Sequence, residues 1–275
     1  MKNYVIGALH FSPMVGYEGH ESYGEILKKA KTDLKAFRKG GVHAVILENN
    51  YNFPHKTTDE TKEAVEMMTS LVNDLMEDSK LPFGISVLFN DYKSALKIAH
   101  ETGGEFIRVP AFVDDIRTSY GEIYANSQEV TDIRRKLGAG SVKIYADVQV
   151  KHAEMIDKDK TIEESALEAI AQGADGLIVT GRITGDPPKL HELKKTNSLT
   201  DVPIIIGSGA TAENINDLFS YSNGVIVSTS LKKGDAVDGE VNIKPHHQEI
   251  DSQKVREFMK AARRHLSGHF CYPFW

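Results

Sequence analysis

Two segments in the last third of the chain combine residue types that could bind a phosphate group. Residues 203–211 (PIIIGSGAT) and 224–230 (GVIVSTS) each pass from β-branched residues to small residues, several with hydroxyl groups. Such runs predict strands buried on both faces, because polar side chains are absent until the carboxyl end. Glycines let backbone N–H groups approach an anion, and Thr211 could cap a following helix whose N-terminus favours negative charge. The alternative is a pair of ordinary strand ends with turn glycines. The predicted phosphate-binding residues are Gly207, Ser208, Gly209, Ser228, Thr229 and Ser230.

A second set of residues could move protons. In 142–148 (VKIYADV), alternation places Lys143, Tyr145 and Asp147 on one face. A buried carboxylate near a cation can act as a general base or hold a ligand hydroxyl, and the alternative for Asp147 is a structural ion pair with Lys143 or Arg108. Lys151 and His152 follow directly, and they offer a cation for an anionic intermediate and a proton carrier near neutral pH.

Polar side chains at the other predicted strand ends complete the candidate site. Glu48 could be a second acid–base group or could pair with Arg108. The catalytic candidates are Asp147, Glu48, His152, Lys151 and Arg108, and the substrate-binding candidates are His10, Asn49, Asn90, Thr180 and Gly181. Imidazole and carboxylate groups both suit a divalent metal, so His10, Glu48, Asp147 and His152 could together hold one. Their spacing is not a tight ligand pattern, and we expect no required metal or other cofactor.

These side chains can act together only if the strand ends meet. The chain repeats a short apolar run, a polar loop, an amphipathic segment and a glycine stop. This repeat predicts eight strands, at 4–10, 43–48, 83–89, 105–109, 142–148, 176–180 and in the two segments near 203 and 224. Strands that alternate with helices imply a parallel sheet, and eight units in 275 residues favour a closed (β/α)8 TIM barrel over an open doubly wound sheet.

Loop lengths support the same conclusion. The long connections follow the strands, at 11–22, 49–58, 111–126 and 231–250, whereas the helix-to-strand links are short. A catalytic face at the carboxyl ends of the strands would produce this asymmetry. Capping-box patterns at Thr57–Glu60 and Thr161–Glu164 predict two helix starts, and a final helix is predicted over 251–266.

Composition narrows the class of protein. The net charge is −6 with no long basic run, so nucleic acid is not expected as a partner. The single cysteine, Cys271, excludes an internal disulfide and fits a reducing cytoplasm, where we expect the protein to act. The apolar run that ends at Leu9 is too short for a signal peptide or a membrane span. No linker interrupts 1–275, so a single domain is predicted. The aromatic tail at 268–275 should pack on the barrel or on a neighbouring subunit, which makes a homo-oligomer the expected state.

Several motifs together resemble the BtpA/SgcQ family. They are GALH at 7–10, VILEN at 45–49, ADVQVKH at 146–152, TGRITG at 180–185, GSG at 207–209 and STSLK at 228–232. The resemblance runs from about Val5 to Phe258 and implies a TIM barrel of the ribulose-phosphate-binding type. One branch of the family is named for photosystem I biogenesis, and another accompanies sugar-uptake genes. Pro110 and the loop 50–55 depart from the pattern expected of the family.

The leading functional expectation is an enzyme that acts on a small phosphorylated sugar or nucleoside-derived sugar. Isomerisation or epimerisation fits the residues because proton transfer alone suffices. Aldol cleavage by a lyase, or glycosidic-bond hydrolysis by two carboxylates, needs the same groups and stays open. The alternatives from other classes are a non-catalytic assembly factor, as in photosystem I biogenesis, and a sugar-phosphate sensor.

Overall fold

Eight parallel strands close into a barrel in the computed structural model, which describes residues 3–234 and 245–263. The strands in chain order are β1 (Tyr4–His10), β2 (Ala44–Glu48), β3 (Phe83–Ser86), β4 (Phe106–Val109), β5 (Ile116–Thr118), β6 (Gly121–Ile123), β7 (Lys143–Val148), β8 (Ala153–Met155), β9 (Gly176–Val179), β10 (Ile204–Ile206) and β11 (Gly224–Val227). The barrel order is β1-β11-β10-β9-β7-β4-β3-β2, which confirms the predicted fold class.

Eight α-helices in the described residues follow or separate the strands. They are α1 (Tyr23–Gly40), α2 (Lys62–Met76), α3 (Tyr92–Thr102), α4 (Ser127–Lys136), α5 (Ile162–Ala171), α6 (Leu190–Asn197), α7 (Ile215–Leu218) and α8 (Ser252–Ala262). A 3-10 turn at Thr229–Leu231 follows β11. The predicted capping box at Thr161 and Glu164 is present at the start of α5.

The strands bury side chains on both faces because helices cover the outside and the barrel encloses the inside. The interior cluster consists of Ile6, Ala8, Ala44, Ile46, Phe106, Tyr145, Ile178, Ile205 and Ile226. Tyr145 lies inside this cluster, whereas Ile144 and Ala146 belong to the outer core between sheet and helices. The inward-facing alternation predicted for β7 is therefore confirmed.

A second sheet lies outside the barrel, and the sequence did not predict it. Strands β6, β5 and β8 form a three-stranded antiparallel sheet. Its pairs join Ile116 to Ile123 on one side and Ile116 to Met155 on the other. The sheet therefore connects the long loop after β4 to the loop after β7.

Two predicted boundaries differ from the structure. β3 ends at Ser86 rather than Phe89, because Leu88 adopts a φ of 50° and its N–H donates to Asn49 Oδ1 at 2.6 Å. Helix α2 starts after an N-cap at Thr61 rather than at the predicted capping box of Thr57 and Glu60. The aromatic tail at 268–275 and residues 235–244 of the loop 231–250 lie outside the described residues. Within the described ranges, no helix is long and apolar enough to cross a membrane.

Candidate active site

A cavity of about 580 Å³ opens at the carboxyl ends of the barrel strands. The predicted site residues that line it are His10, Glu48, Arg108, Lys151, His152, Gly207, Ser208, Gly209, Ser228, Thr229 and Ser230. The predicted residues that do not line it are Asp147, Asn49, Asn90, Thr180 and Gly181. The structure therefore brings the predicted phosphate loops and most of the predicted catalytic groups to one cavity.

Glu48 lies at the end of β2 and is held by its neighbours through one of its two carboxylate oxygens. Oε2 is 3.2 Å from His10 Nε2 and accepts a hydrogen bond of 2.6 Å from Asn50 Nδ2. Lys232 Nζ lies 3.5 Å from His10 Nδ1, and since an ammonium can only donate, Nδ1 must accept. We therefore assign the His10 proton to Nε2, which donates to Glu48.

The second oxygen of Glu48 is available for chemistry. Oε1 is buried and has no hydrogen-bond partner in the described residues. Burial alone would raise the pKa of Glu48, but the hydrogen bond from His10 and the charges of Arg108 and Lys151 lower that pKa below its usual range. Burial and the charge of Lys232 lower the pKa of His10, so a neutral imidazole faces an ionised carboxylate. Glu48 thus presents at neutral pH a charged oxygen that has no partner in the described part of the chain, and a general base must be in this unprotonated form.

Asp147 and Arg108 form a buried bidentate ion pair. Arg108 Nε and Nη2 each donate to one oxygen of Asp147 at 2.8 Å. Both carboxylate oxygens therefore accept from the guanidinium, and the carboxylate is fully buried. Complete burial raises the pKa of Asp147, whereas the charge of Arg108 and its two donated hydrogen bonds oppose this rise and favour the ionised form. The ion-pair alternative considered for Asp147 is the arrangement observed, and Arg108 rather than Asp147 faces the cavity.

Lys151 reaches the cavity from the loop after β7. Its backbone N–H donates to Thr180 Oγ1 at 2.9 Å, which fixes the start of this loop. No hydrogen bond or ion pair to its amine is found in residues 3–234 and 245–263. Burial and the nearby charge of Arg108 lower the pKa of Lys151 to about 8. The amine is therefore mostly charged at pH 7 and partly neutral at pH 8.

The hydrogen bonds of His152 do not suit the proton-carrier role that the sequence predicted for it. Its Nε2 accepts a hydrogen bond of 3.0 Å from the backbone N–H of Thr184 and lies 2.8 Å from Thr184 Oγ1. Burial, together with the charge of Lys151, lowers the pKa of His152 to about 4. An imidazole that accepts from an amide is neutral at pH 7, so this geometry argues against a proton carrier near neutral pH.

The predicted phosphate loops line the cavity, and part of their polarity stabilises the loops themselves. Ser208 Oγ bridges the N–H of Gly181 and the carbonyl of Asp186, both at 2.8 Å. Ser230 Oγ donates to the carbonyl of Ala210 at 2.8 Å. In contrast, Ser228 Oγ is buried without a partner in the described part of the chain. Ser228 is therefore a hydroxyl that an anion could engage.

The helix expected after these loops does not contribute. Thr211 Oγ1 accepts from the N–H groups of Glu213 and Asn214 in a turn, and α7 is only four residues long. The prediction that Thr211 caps a helix of useful length is therefore wrong. The backbone N–H groups of Gly209 and Ala210 have no acceptor among the described residues, and both residues line the cavity. These N–H groups and the Ser228 hydroxyl remain as donors for an anion.

The two predicted amide ligands instead hold loops beneath the cavity. Asn49 donates to Glu60 Oε2 at 2.7 Å, and its own Oδ1 accepts from Leu88. Asn90 makes paired hydrogen bonds with the N–H and carbonyl of Ala111, at 2.9 and 3.2 Å. Both side chains are buried, their amide oxygens and nitrogens are hydrogen-bonded to these loops, and neither residue lines the cavity.

Thr180 and Gly181 also have structural roles. The hydroxyl of Thr180 accepts from the Lys151 backbone. A Cβ at Gly181 would lie 2.2 Å from the carbonyl oxygen of Asp186, so only glycine fits under that loop.

The sequence analysis assigned no site role to several residues that line the cavity. They are Ser86 at the end of β3 and, in the loops, His55, Leu88, Phe89, Pro110, Tyr120, Val150 and Lys232. Phe89 falls within a segment that continues the β3 hydrophobic run, and Tyr120 lies in the turn between β5 and β6. Their position depends on loop conformation, and only the aromatic character of His55, Phe89 and Tyr120 could have drawn attention to them.

The four residues considered for a metal do not converge. His10 contacts Glu48, Asp147 is paired with Arg108, and His152 bonds to the loop at Thr184. Over the described ranges, no group of three or more His, Cys, Asp or Glu side chains could hold a metal ion.

Comparison with known proteins identifies the family. A model described as the BtpA family matches residues 1–264. The chain belongs to the BtpA family. The photosystem I biogenesis protein BtpA of Synechocystis sp. is 36% identical over 269 residues, which cover 97% of this chain and 90% of that protein. An uncharacterised protein of Pyrococcus horikoshii is 34% identical over 241 residues, which cover 87% of this chain and 91% of that protein. The motifs that carry the BtpA resemblance include Glu48, Lys151 and Ser228, all at the cavity.

Solved structures share the fold at low sequence identity. Thiamine phosphate pyrophosphorylase from Pyrococcus furiosus is 15% identical with a TM-score of 0.57, over 97% of both chains. N-(5'-phosphoribosyl)anthranilate isomerase from the same organism is 16% identical with a TM-score of 0.56, over 95% of this chain and 99% of that one. Tryptophan synthase from Mycobacterium tuberculosis is 12% identical with a TM-score of 0.60, over 95% of this chain and 93% of that one. These likenesses show that the chain shares the TIM-barrel fold of these proteins.

Proposed function

We propose that this protein is an enzyme that isomerises or epimerises a small phosphorylated sugar by proton transfer in the barrel cavity. The observation that carries the proposal is Glu48 Oε1, a buried oxygen with no partner in the described chain, at a cavity that Arg108 and Lys151 also line. A carboxylate in this setting can remove a proton next to a substrate carbonyl. Arg108 and Lys151 would then stabilise the negative charge that develops on the carbonyl oxygen.

The anion end of the substrate would bind at the two loops of the cavity that include Gly207 and Ser228, and Arg108 Nη2 lies 3.5 Å from the Cβ position of Gly207. The loops after β10 and β11 supply the N–H groups of Gly209 and Ala210 and the hydroxyl of Ser228, none of which has a partner among the described residues. Backbone N–H groups that converge in a loop form a common anion site, and in TIM barrels the phosphate site frequently lies after strands seven and eight. Two of the fold relatives carry phosphorylated compounds in their names, which supports a phosphate here.

Solvent exchange provides a direct test of the proton transfer. The protein is incubated in D₂O with ribose 5-phosphate, ribulose 5-phosphate or xylulose 5-phosphate, and the C–H signal beside the carbonyl is followed by NMR. Loss of that signal for at least one compound is expected, and Glu48→Gln should slow it by about 100-fold or more, the usual contribution of a general base. Glu66→Gln, at an exposed carboxylate on α2, is the matched control and should exchange like the wild type. Absence of exchange in every compound, or equal exchange in Glu48→Gln, would refute the assignment.

A lyase is the second candidate, and it is favoured by the Lys151 amine, which has no partner within residues 3–234 and 245–263. The neutral amine would add to a substrate carbonyl carbon, and protonation of the carbinolamine hydroxyl followed by loss of one water would give an iminium ion. Glu48 would take the proton of the hydroxyl on the second carbon from the iminium. The bond between the first and second carbons would then break, its electrons would move to the iminium to form an enamine, and the second carbon would leave as an aldehyde. Borohydride trapping with dihydroxyacetone phosphate, read by mass spectrometry, should label Lys151 if this chemistry occurs. Without such an adduct, the proton-transfer enzyme remains the better candidate.

A non-catalytic assembly factor is supported by one relative, which is named a photosystem I biogenesis protein. The discriminating experiment expresses this chain in a Synechocystis strain that lacks its own BtpA and measures the photosystem I level. Restoration by the wild type and equally by Glu48→Gln would favour the assembly role. Restoration by the wild type alone would tie the biological effect to catalysis.

A further inference from the structure

The cavity has two chemically different ends that lie on opposite sides of the barrel. In the closed strand order, β11 stands four places from β4, and β10 stands four places from β3. The anion-binding loops follow β10 and β11. The cavity-lining residues that follow β3 and β4 therefore face those loops across the full width of the mouth.

The end opposite the anion loops is apolar. We call this the apolar wall, and it consists of His55, Leu88, Phe89, Pro110, Tyr120 and Val150. Leu88, Pro110 and Val150 are buried in the loops after β3, β4 and β7. Phe89 packs against the small core beneath the three-stranded sheet, which fixes one side of its ring.

Two rings of the wall support each other at the mouth. The rings of His55 and Tyr120 meet edge to face, with centroids 4.9 Å apart and an angle of 71° between their planes. Burial lowers the pKa of His55, so its ring is neutral at pH 7. The wall therefore presents uncharged ring and aliphatic surface. Of the charged groups that line the cavity, Arg108 extends toward the anion loops, since its Nη2 lies 3.5 Å from the Cβ position of Gly207.

We propose that the apolar wall binds a planar aromatic group that is attached to the phosphorylated sugar. This inference rests on the proposed function and specifies its substrate: a phosphorylated sugar that carries a carbonyl group and also bears an aromatic ring at the end far from the phosphate. With the phosphate at the loops after β10 and β11, the sugar carbons would lie near Glu48 and Lys151. The ring would then reach His55, Phe89 and Tyr120.

The dimensions of the cavity support an occupant larger than a simple sugar phosphate. A volume of about 580 Å³ lies within the range of roughly 300–1,000 Å³ that holds drug-sized ligands. A pentose phosphate has no apolar surface with which to cover the wall. Aromatic rings, in contrast, gain from offset or edge-to-face contact with other rings beyond the area that they bury.

Calorimetric titration can separate the aromatic subsite from the anion site. The probes are ribose 5-phosphate and adenosine 5'-monophosphate, which share the sugar and phosphate and differ by the base. Adenosine 5'-monophosphate should bind about tenfold more tightly, the increment expected of ring stacking. Tyr120→Ala should remove most of that increment and leave the affinity for ribose 5-phosphate unchanged. Tyr124→Ala is the matched control, since Tyr124 is 66% exposed and does not line the cavity.

The possible outcomes separate the proposed aromatic subsite from the proposed phosphate site. Equal affinity for the two probes would overturn the aromatic subsite and leave the phosphate site intact. An affinity gain that survives both Tyr120→Ala and Phe89→Ala would also overturn it, because the base would then bind elsewhere. Failure of both probes to bind would overturn the proposed phosphate site, and the aromatic subsite with it.

Discussion

Replacement of Lys151 by methionine is expected to stabilise the fold at neutral pH while it removes a charge that the proposed reaction needs. Burial and the charge of Arg108 lower the pKa of the Lys151 amine from its usual 10.5 to about 8. This difference corresponds to about 3 kcal/mol, at about 1.36 kcal/mol per pKa unit. The side chain is only partly buried, so we expect a net gain of about 1–3 kcal/mol for Lys151→Met. Methionine fits the space because it is unbranched and flexible.

The lowered pKa of Lys151 also determines the direction in which the free energy of unfolding changes with pH. Between pH 8 and 10.5 the unfolded chain holds a proton on Lys151 that the folded chain has released, so wild-type stability rises with pH across this window. Below pH 8 both states are protonated, and the full cost of the buried charge is present. The advantage of Lys151→Met should therefore be largest at pH 7 and decline toward pH 10.

Urea unfolding followed by circular dichroism at pH 7 and pH 10 measures both quantities. Lys62→Met is the matched control, because the Lys62 side chain is 83% exposed and its loss should change stability by less than about 0.5 kcal/mol. A Lys151→Met variant no more stable than the wild type at pH 7 would refute the reasoning. An advantage that stays constant up to pH 10 would refute it equally.

Three further predictions concern the same end of the barrel. Asp147→Asn should lower the free energy of unfolding, measured in urea, by about 3–5 kcal/mol, because it leaves Arg108 buried without its counter-charge. Glu122→Gln, the control in an exposed ion pair, should lower it by less than about 1 kcal/mol. Similar losses in the two variants would contradict this prediction. Turnover should fall as pH rises above about 8, where Lys151 loses its proton, and a kcat/KM profile flat to pH 9.5 would contradict its charged role. Gly209→Ala should lower the melting temperature, with a cost of at least about 1–2 kcal/mol, because φ is +67° and a Cβ would lie 2.1 Å from a backbone nitrogen; an unchanged melting temperature would contradict this.

The barrel could be predicted because its signals are local. β-branched runs, glycine stops and capping boxes lie within single segments, and the capping box at Thr161 is present as expected. The inward face of β7 also followed from alternation alone, and Tyr145 lies inside the barrel. Convergence of the strand ends then follows from closure, so the sequence alone predicts that Glu48 and Lys151 meet at one cavity, which both line.

The errors arise where a residue's partner is distant in sequence. An amide at a strand end can bind a ligand or hold a loop, and Asn49 does the latter through Glu60 and Leu88. The carboxylate of Glu60 accepts from Asn49 and Asn52, so it is committed to holding this loop, and α2 begins after an N-cap at Thr61. The hairpin of β5 and β6 has strands of three residues, too short to show alternation. None of these contacts leaves a periodic signal.

The three-stranded sheet outside the barrel constrains how this family could diversify. Because Ile116 pairs with both Ile123 and Met155, the loop after β4 and the loop after β7 are joined by the backbone hydrogen bonds of this sheet. A deletion in the loop after β4 would remove the hydrogen-bond partners of β8 and displace the backbone turn that carries Lys151. Family members that change one of these loops should therefore change the other as well, and an engineered exchange of specificity should transfer both loops together.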